Sequence, residues 1–190
     1  MRNEDRGRTR LKLVRGGGTR VVRLGGVTIV PAPAAMPPFP VDAEVVEEDT
    51  YFVLGAEPTV AEVDEHVVRL MTEAIEVQPA EPGSVSVRRG MPLKLLAVVH
   101  DLDRMPSWRE EWVERALREV FWEVERRGLG AIALPMIGTL HGALRPDRFA
   151  ELLRGIMCPF SFSSLRRLWL VAHEDAAAEA MRVLEGGCDA

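Results

Sequence analysis

The sequence predicts an α/β fold, with a mixed, largely parallel central sheet between helical layers, on three observations. Short apolar runs alternate with amphipathic stretches over most of the 190 residues. Leu93 to His100 (LKLLAVVH) is nearly continuous in apolar residues, as a strand buried on both faces requires. The stretch from Ser107 to Gly128 carries apolar residues at helical spacing, from Trp112 and Val113 through Ala116, Leu117, Val120 and Phe121 to Val124. Alternating strands and helices produce parallel sheets because each crossover helix returns the chain to the same edge.

The elements follow in order. Leu11 to Val14, Thr19 to Leu24 and Val27 to Val30 read as short strands, separated by Gly16-Gly17-Gly18 and Gly25-Gly26. Five prolines between Pro31 and Pro40 predict an extended connector. Asp49 to Gly55 is predicted as a buried strand from its run Tyr51-Phe52-Val53-Leu54, and Thr59 with Glu62 as the capping box of a helix to about Glu76. Ser84 to Arg88 alternates as a strand, and Ser107 with Glu110 predicts a second capping box before the clearest helix of the chain. A strand at Ala131 to Ile137, a helix from Pro146, a strand at Arg167 to Ala172 and a helix at Asp175 to Leu184 complete the pattern. Residues 1–40 are expected as a basic arm with short strands and a connector packing on the domain formed by 41–190.

Composition narrows the function classes. With 47% hydrophobic and 28% charged residues the chain suits a soluble globular protein. No apolar run approaches the roughly 18 to 20 residues that span a bilayer, so a cytoplasmic protein with no membrane partner is expected. The net charge of -5 divides into +6 over residues 1–23 and -11 over the rest. A solvated basic terminus accounts for that arm, and nucleic acid is not an expected partner. Cys158 and Cys188, the two cysteines, form no CxxC pair; neither a disulfide nor a metal site is expected from them. All basic residues but Lys12 and Lys94 are arginine, Asn3 is the single asparagine and Gln78 the single glutamine, a bias compatible with a thermophilic or GC-rich source.

Chemistry is expected where the strand at Ala131 runs into Gly138-Thr139-Leu140-His141-Gly142-Ala143-Leu144, just before the helix at Pro146. Glycines let backbone amides approach a phosphate, and the following helix N-terminus favours an anion. His141 is the loop's one titratable side chain and suits phosphate contact or acid–base work, against the plainer reading of a solvent-facing histidine. His100, beside Asp101 and Asp103, reads as a structural histidine oriented by a carboxylate. Trp108, Trp112, Trp122 and Trp169 read as packing residues.

Four segments resemble the macro domain, the α/β fold that binds ADP-ribose. Gly130 to Thr139 (GAIALPMIGT) is similar to that family's S-I-A-F-P-A strand with its I-G-T-G loop, Gly83 to Val87 and Met91 to His100 to its paired strands, and Pro146 to Arg154 to its following helix. The resemblance covers about Asp49 to Leu184. It implies a three-layer macro-like fold with an ADP-ribose-like ligand held by Gly138, Thr139, Leu140, His141, Gly142, Ala143 and Leu144. Departures limit what it implies. Leu54-Gly55-Ala56-Glu57 stands where the family has N-A-A-N, Pro58 onward lacks its G-G-G-V loop, and Leu140 replaces a glycine. Glu57 would then face the ligand. The implied reading is weak binding of ADP-ribose or a related nucleotide, with no hydrolysis, no catalytic residue, no metal and no cofactor. Its alternative is a non-binding scaffold with a degenerate pocket, assembling as a homodimer through its N-terminal strands. A hydrolase using Glu57 or His141 is the third.

Overall fold

In a computed structural model of the chain, residues 20–55 and 78–188 are described. Among the described residues seven strands form one sheet: β1 (Val22–Leu24), β2 (Val27–Ala32), β3 (Ala43–Asp49), β4 (Val85–Arg88), β5 (Leu93–His100), β6 (Ala131–Pro135) and β7 (Arg167–Val171). Their order is β1-β2-β7-β6-β3-β5-β4, with only the two edge pairs antiparallel. The sheet is therefore mixed and mostly parallel, as the strand and helix alternation predicts. Strands β1 and β2 are its edge on the β7 side, hydrogen-bonded into it.

The described helices are α1 (Glu110–Arg127), α2 (Pro146–Met157) and α3 (Glu174–Leu184). The crossovers β5-α1-β6 and β6-α2-β7 step the same way along the sheet, so right-handed connections place both helices on one face. α2 packs against α1 and α3 in a continuous layer. Leu95, Ala97, Val99, Ile132, Leu134, Leu168 and Leu170 meet this layer in the main core. The other face is crossed by residues 33–42, which return the chain from β2 to β3. Phe39 stacks under the Arg167 guanidinium there, 4.7 Å from ring centroid to Cζ, and Trp169 donates its indole N–H to the Ala32 carbonyl at 2.9 Å.

Several expectations are corrected. The strand predicted at Asp49–Gly55 is absent; the strand is Ala43–Asp49, and residues 50–55 turn. The cause is Asp49, whose carboxylate accepts the amides of Tyr51 at 2.6 Å, Val53 at 2.9 Å and Leu54 at 2.8 Å, curling the backbone that a strand would extend. Phe52 sits in the left-handed region at φ 58° inside this curl. The proline connector starts later than predicted, because Pro31 and Ala32 still pair with Leu170 and Val171. β1 pairs only with residues 27–29, so Pro31 lies where one side of β2 is unpaired and its missing N–H is tolerated. Ser107 does not cap α1. Its carbonyl accepts the Asp101 amide at 2.7 Å, and Arg109 is the N-cap without a side-chain bond. Gly128 ends that helix in the left-handed region as expected, at φ 69°. Trp122 is 55% exposed, with Arg126 over its ring, and is no core residue.

A disulfide joins Cys158 to Cys188, against expectation. Successive crossover helices run parallel, so α2 and α3 end side by side, and cysteines 30 residues apart come to a Cα separation of 5.4 Å. The strand predicted at Leu11–Val14, the helix at Thr59–Glu76 and Glu57 lie outside the described residues. Among the described residues no helix is long and apolar enough to cross a membrane.

Candidate functional site

A cavity of about 490 Å3 opens at the carboxyl ends of β3, β6 and β7. Parallel strands direct their carboxyl ends to one rim, where the loops leaving them surround a cleft. β3 contributes Val45, Val46 and Glu47; β6 and its loop contribute Pro135, Met136, Thr139, Leu140 and His141. The far wall is Val171, Ala172, His173 and Ala176 at the start of α3, with Ala34, Leu54 and Gly55 closing the sides. The lining is mostly apolar.

The predicted loop divides between roles. Thr139, Leu140 and His141 line the cavity, Leu140 with 79% of its surface exposed at the rim. Gly138 is buried at φ 81°, where a Cβ would meet Val113 Cγ2 at 2.8 Å, so it is the residue that must be glycine for the turn to close on α1. Leu140 is not in the left-handed region, and its side chain does not strain the loop. Gly142 packs against the Gly138 carbonyl and Trp108. Ala143 is exposed, and Leu144 is buried in the main core.

The group absent from the sequence reading is Glu47. Its side chain is 10% exposed, and both carboxylate oxygens are engaged. Oε2 accepts the Gly138 amide at 2.9 Å, and Oε1 lies 2.5 Å from Nε2 of His100, which donates to it. His100 is therefore oriented by a carboxylate, as expected, but by Glu47 and not by Asp101 or Asp103; Asp101 pairs with Arg104 at 2.9 Å. The His141 ring stands edge-on to His100 at 6.1 Å. Beside this group, Glu48 accepts the Gly55 amide at 3.0 Å, and burial pushes its carboxyl above the usual range, outweighing that hydrogen bond. Five loop amides around the strand ends, those of Tyr51, Val53, Leu54, Gly55 and Gly138, thus donate to carboxylates of β3 itself. The legible signal was the triplet Glu47-Glu48-Asp49 following Val45-Val46. Three acids closing an apolar strand need donors at its end.

The strand that ends at the cavity closes in Val46-Glu47-Glu48-Asp49, so the expectation that Leu54 to Glu57 closes it lapses with the strand predicted there. No asparagine stands at either place, since Asn3 is the only one in the chain. A negative charge brought within 4 Å of Glu47 is opposed by about 1 to 4 kcal/mol, from aqueous to partly buried dielectric. Among the described residues no cluster of three or more His, Cys, Asp or Glu could hold a metal ion.

The fold defines a class. An Oceanobacillus iheyensis macrodomain mutant with ADPR superposes at a TM-score of 0.64, with 14% identity over 88% of this chain and 97% of that one. The macrodomain of Thermus aquaticus DarG does so at 0.54, with 18% identity over 76% and 98%. A Trypanosoma brucei macrodomain in complex with ADP gives 0.58, with 16% identity over 82% and 68%. No protein-family model matches the sequence, and no curated protein does. The chain has the macrodomain fold in a strongly diverged sequence.

Proposed function

We propose that the chain binds ADP-ribose or a related nucleotide in the cavity at the ends of β3, β6 and β7, weakly and without hydrolysing it. The observation that carries this reading is the cavity, which lies where a parallel sheet presents its ligand site and is walled on one side by Thr139, Leu140 and His141 of the Gly138–Leu144 loop. Two structures with this fold were determined with ADPR and with ADP. Weakness follows from Glu47, which sets a carboxylate on the amide that a phosphate would use. The absence of hydrolysis follows from the missing asparagine, since the resemblance gives the last asparagine of N-A-A-N a part in hydrolysis and Asn3 is the only asparagine of this chain.

Isothermal titration and thermal shift with ADP-ribose test the proposal. Heat and a rise in Tm at millimolar ligand, with the ligand recovered intact, are expected; no heat and no shift remove it. A second reading, a scaffold that keeps the fold without a ligand, is favoured by the five amides turned to internal carboxylates. Light scattering on the full chain tests its assembly component, and a monomer argues against it.

A further inference from the structure

The question the cavity leaves is which part of a nucleotide it takes, and Glu47 answers it. Resting on the binding reading above, we infer that the site selects the neutral, hydroxyl-bearing nucleoside portion of its ligand and discriminates against the diphosphate, with Glu47 as the residue that sets this preference.

Anion sites in this kind of sheet are made of backbone amides at strand ends and helix starts. Here one amide of the glycine loop, that of Gly138, already has its anion, because Glu47 Oε2 occupies it at 2.9 Å. The carboxylate is not a mobile surface group that a ligand could push aside. Its other oxygen is held by His100, which is 2% exposed, and the carboxylate itself is 10% exposed. Displacing it would leave a buried charge and a buried imidazole without partners, which is strongly unfavourable. At the end of β3, Asp49 takes the amides of Tyr51, Val53 and Leu54, and Glu48 takes that of Gly55. A diphosphate in the cavity therefore faces the fixed carboxylate of Glu47, the one acid of the three at this strand end that lines it.

A neutral sugar meets the same groups differently. Glu47 lines the cavity, and a carboxylate oxygen has lone pairs to accept a further hydroxyl without losing the bond it has. Val45, Val46, Pro135, Met136 and Val171 offer apolar walls to a base or to the sugar's carbon face.

The test is titration of the full chain with adenosine, ADP and ADP-ribose, in the wild type, Glu47→Gln and Glu47→Ala. Adenosine is expected to bind the wild type about tenfold tighter than ADP or more, the effect of one fixed charge beside a diphosphate. Glu47→Gln removes the charge but keeps a carbonyl for the Gly138 amide, and should raise the affinity for ADP relative to that for adenosine about tenfold. Glu47→Ala also frees the amide and should favour ADP further. ADP-ribose or ADP binding the wild type as tightly as adenosine overturns the inference and leaves the binding reading standing. An unchanged ratio in folded Glu47→Gln, checked by circular dichroism, also overturns it. If the variants do not fold, the wild-type ratio alone decides. No binding of any of the three removes both the binding reading and this inference.

Discussion

Carboxylates hold loop amides at both ends of the sheet, with different consequences. At the amino ends, Asp42 accepts the amides of Gly130 and Ala131 at 2.8 and 2.9 Å, and Glu125 of α1 accepts those of Ser163, Ser164 and Leu165 together with the Ser163 hydroxyl. The disulfide between the ends of α2 and α3 lies at that same end. These contacts tie loops down over packed structure. At the carboxyl ends, Glu47, Glu48 and Asp49 make bonds of the same kind beside an open cavity. One device, an acid satisfying a loop, serves only packing at the amino ends, and on the inference above it also filters ligands where it borders the cavity.

Stability should therefore reside at the amino end and ligand choice at the carboxyl end, a division that substitutions can break. The largest effect is expected from Cys158→Ser. Opening a 30-residue loop costs about 3 to 4 kcal/mol in the chain-entropy account. Urea unfolding with and without reductant should show the loss in the wild type and no reductant dependence in the variant. Nucleotide affinity should not move; if it does, the two ends are coupled.

Glu125→Ala comes next, at about 2 kcal/mol, from loop donors left without a charged acceptor. Burial pushes the Glu125 carboxyl up, but hydrogen bonds from Ser163, Ser164 and Leu165 outweigh it and hold the carboxyl below its usual value of 4.5. The folded state thus favours the charged form. The contribution is present above pH 4.5 and is lost as pH falls through the folded value. Wild type and variant should differ in Tm at pH 7 and converge below pH 4.5; a constant difference would mean that Glu125 acts through packing alone.

The smallest effect, on the order of 1 kcal/mol, is expected from Glu48→Gln at the other end, and with the opposite sign. Burial raises Glu48 above 4.5, so the folded state favours its protonated form, and the charged form is destabilising at neutral pH. The variant, which keeps a carbonyl for the Gly55 amide, should melt higher at pH 7. Its advantage should shrink as pH falls from the folded value toward 4.5. Lower melting at pH 7 would show that the Gly55 amide needs a charged partner.

Much of the fold was legible because its elements bury faces with simple periods. The apolar stripe from Trp112 to Val124 could only be a helix, and Leu93–His100 could only be an interior strand. β3 was not legible. Its seven residues, AEVVEED, include four acids, while the neighbouring run Tyr51 to Leu54 looks like the better strand. In the fold that run is partly at the surface, with Val53 61% exposed, and β3 runs between β5 and β6. Acids are permitted there because donors from distant segments, Gly138 and His100, arrive at its end. The candidate loop was found through its glycines, and Thr139, Leu140 and His141 do line the cavity, while the group that governs the loop's amide sits 91 residues earlier in the chain.

By itself the sequence determined the α/β class, most strands and helices, and the loop after β6, because hydrophobic period and glycine placement are local properties of the chain. Only the tertiary structure decided which run is the central strand, that Cys158 meets Cys188, and that Glu47 rather than a ligand holds the Gly138 amide. Each of these depends on which partner stands opposite a residue. For a cysteine or a buried carboxylate, the partner decides the chemistry.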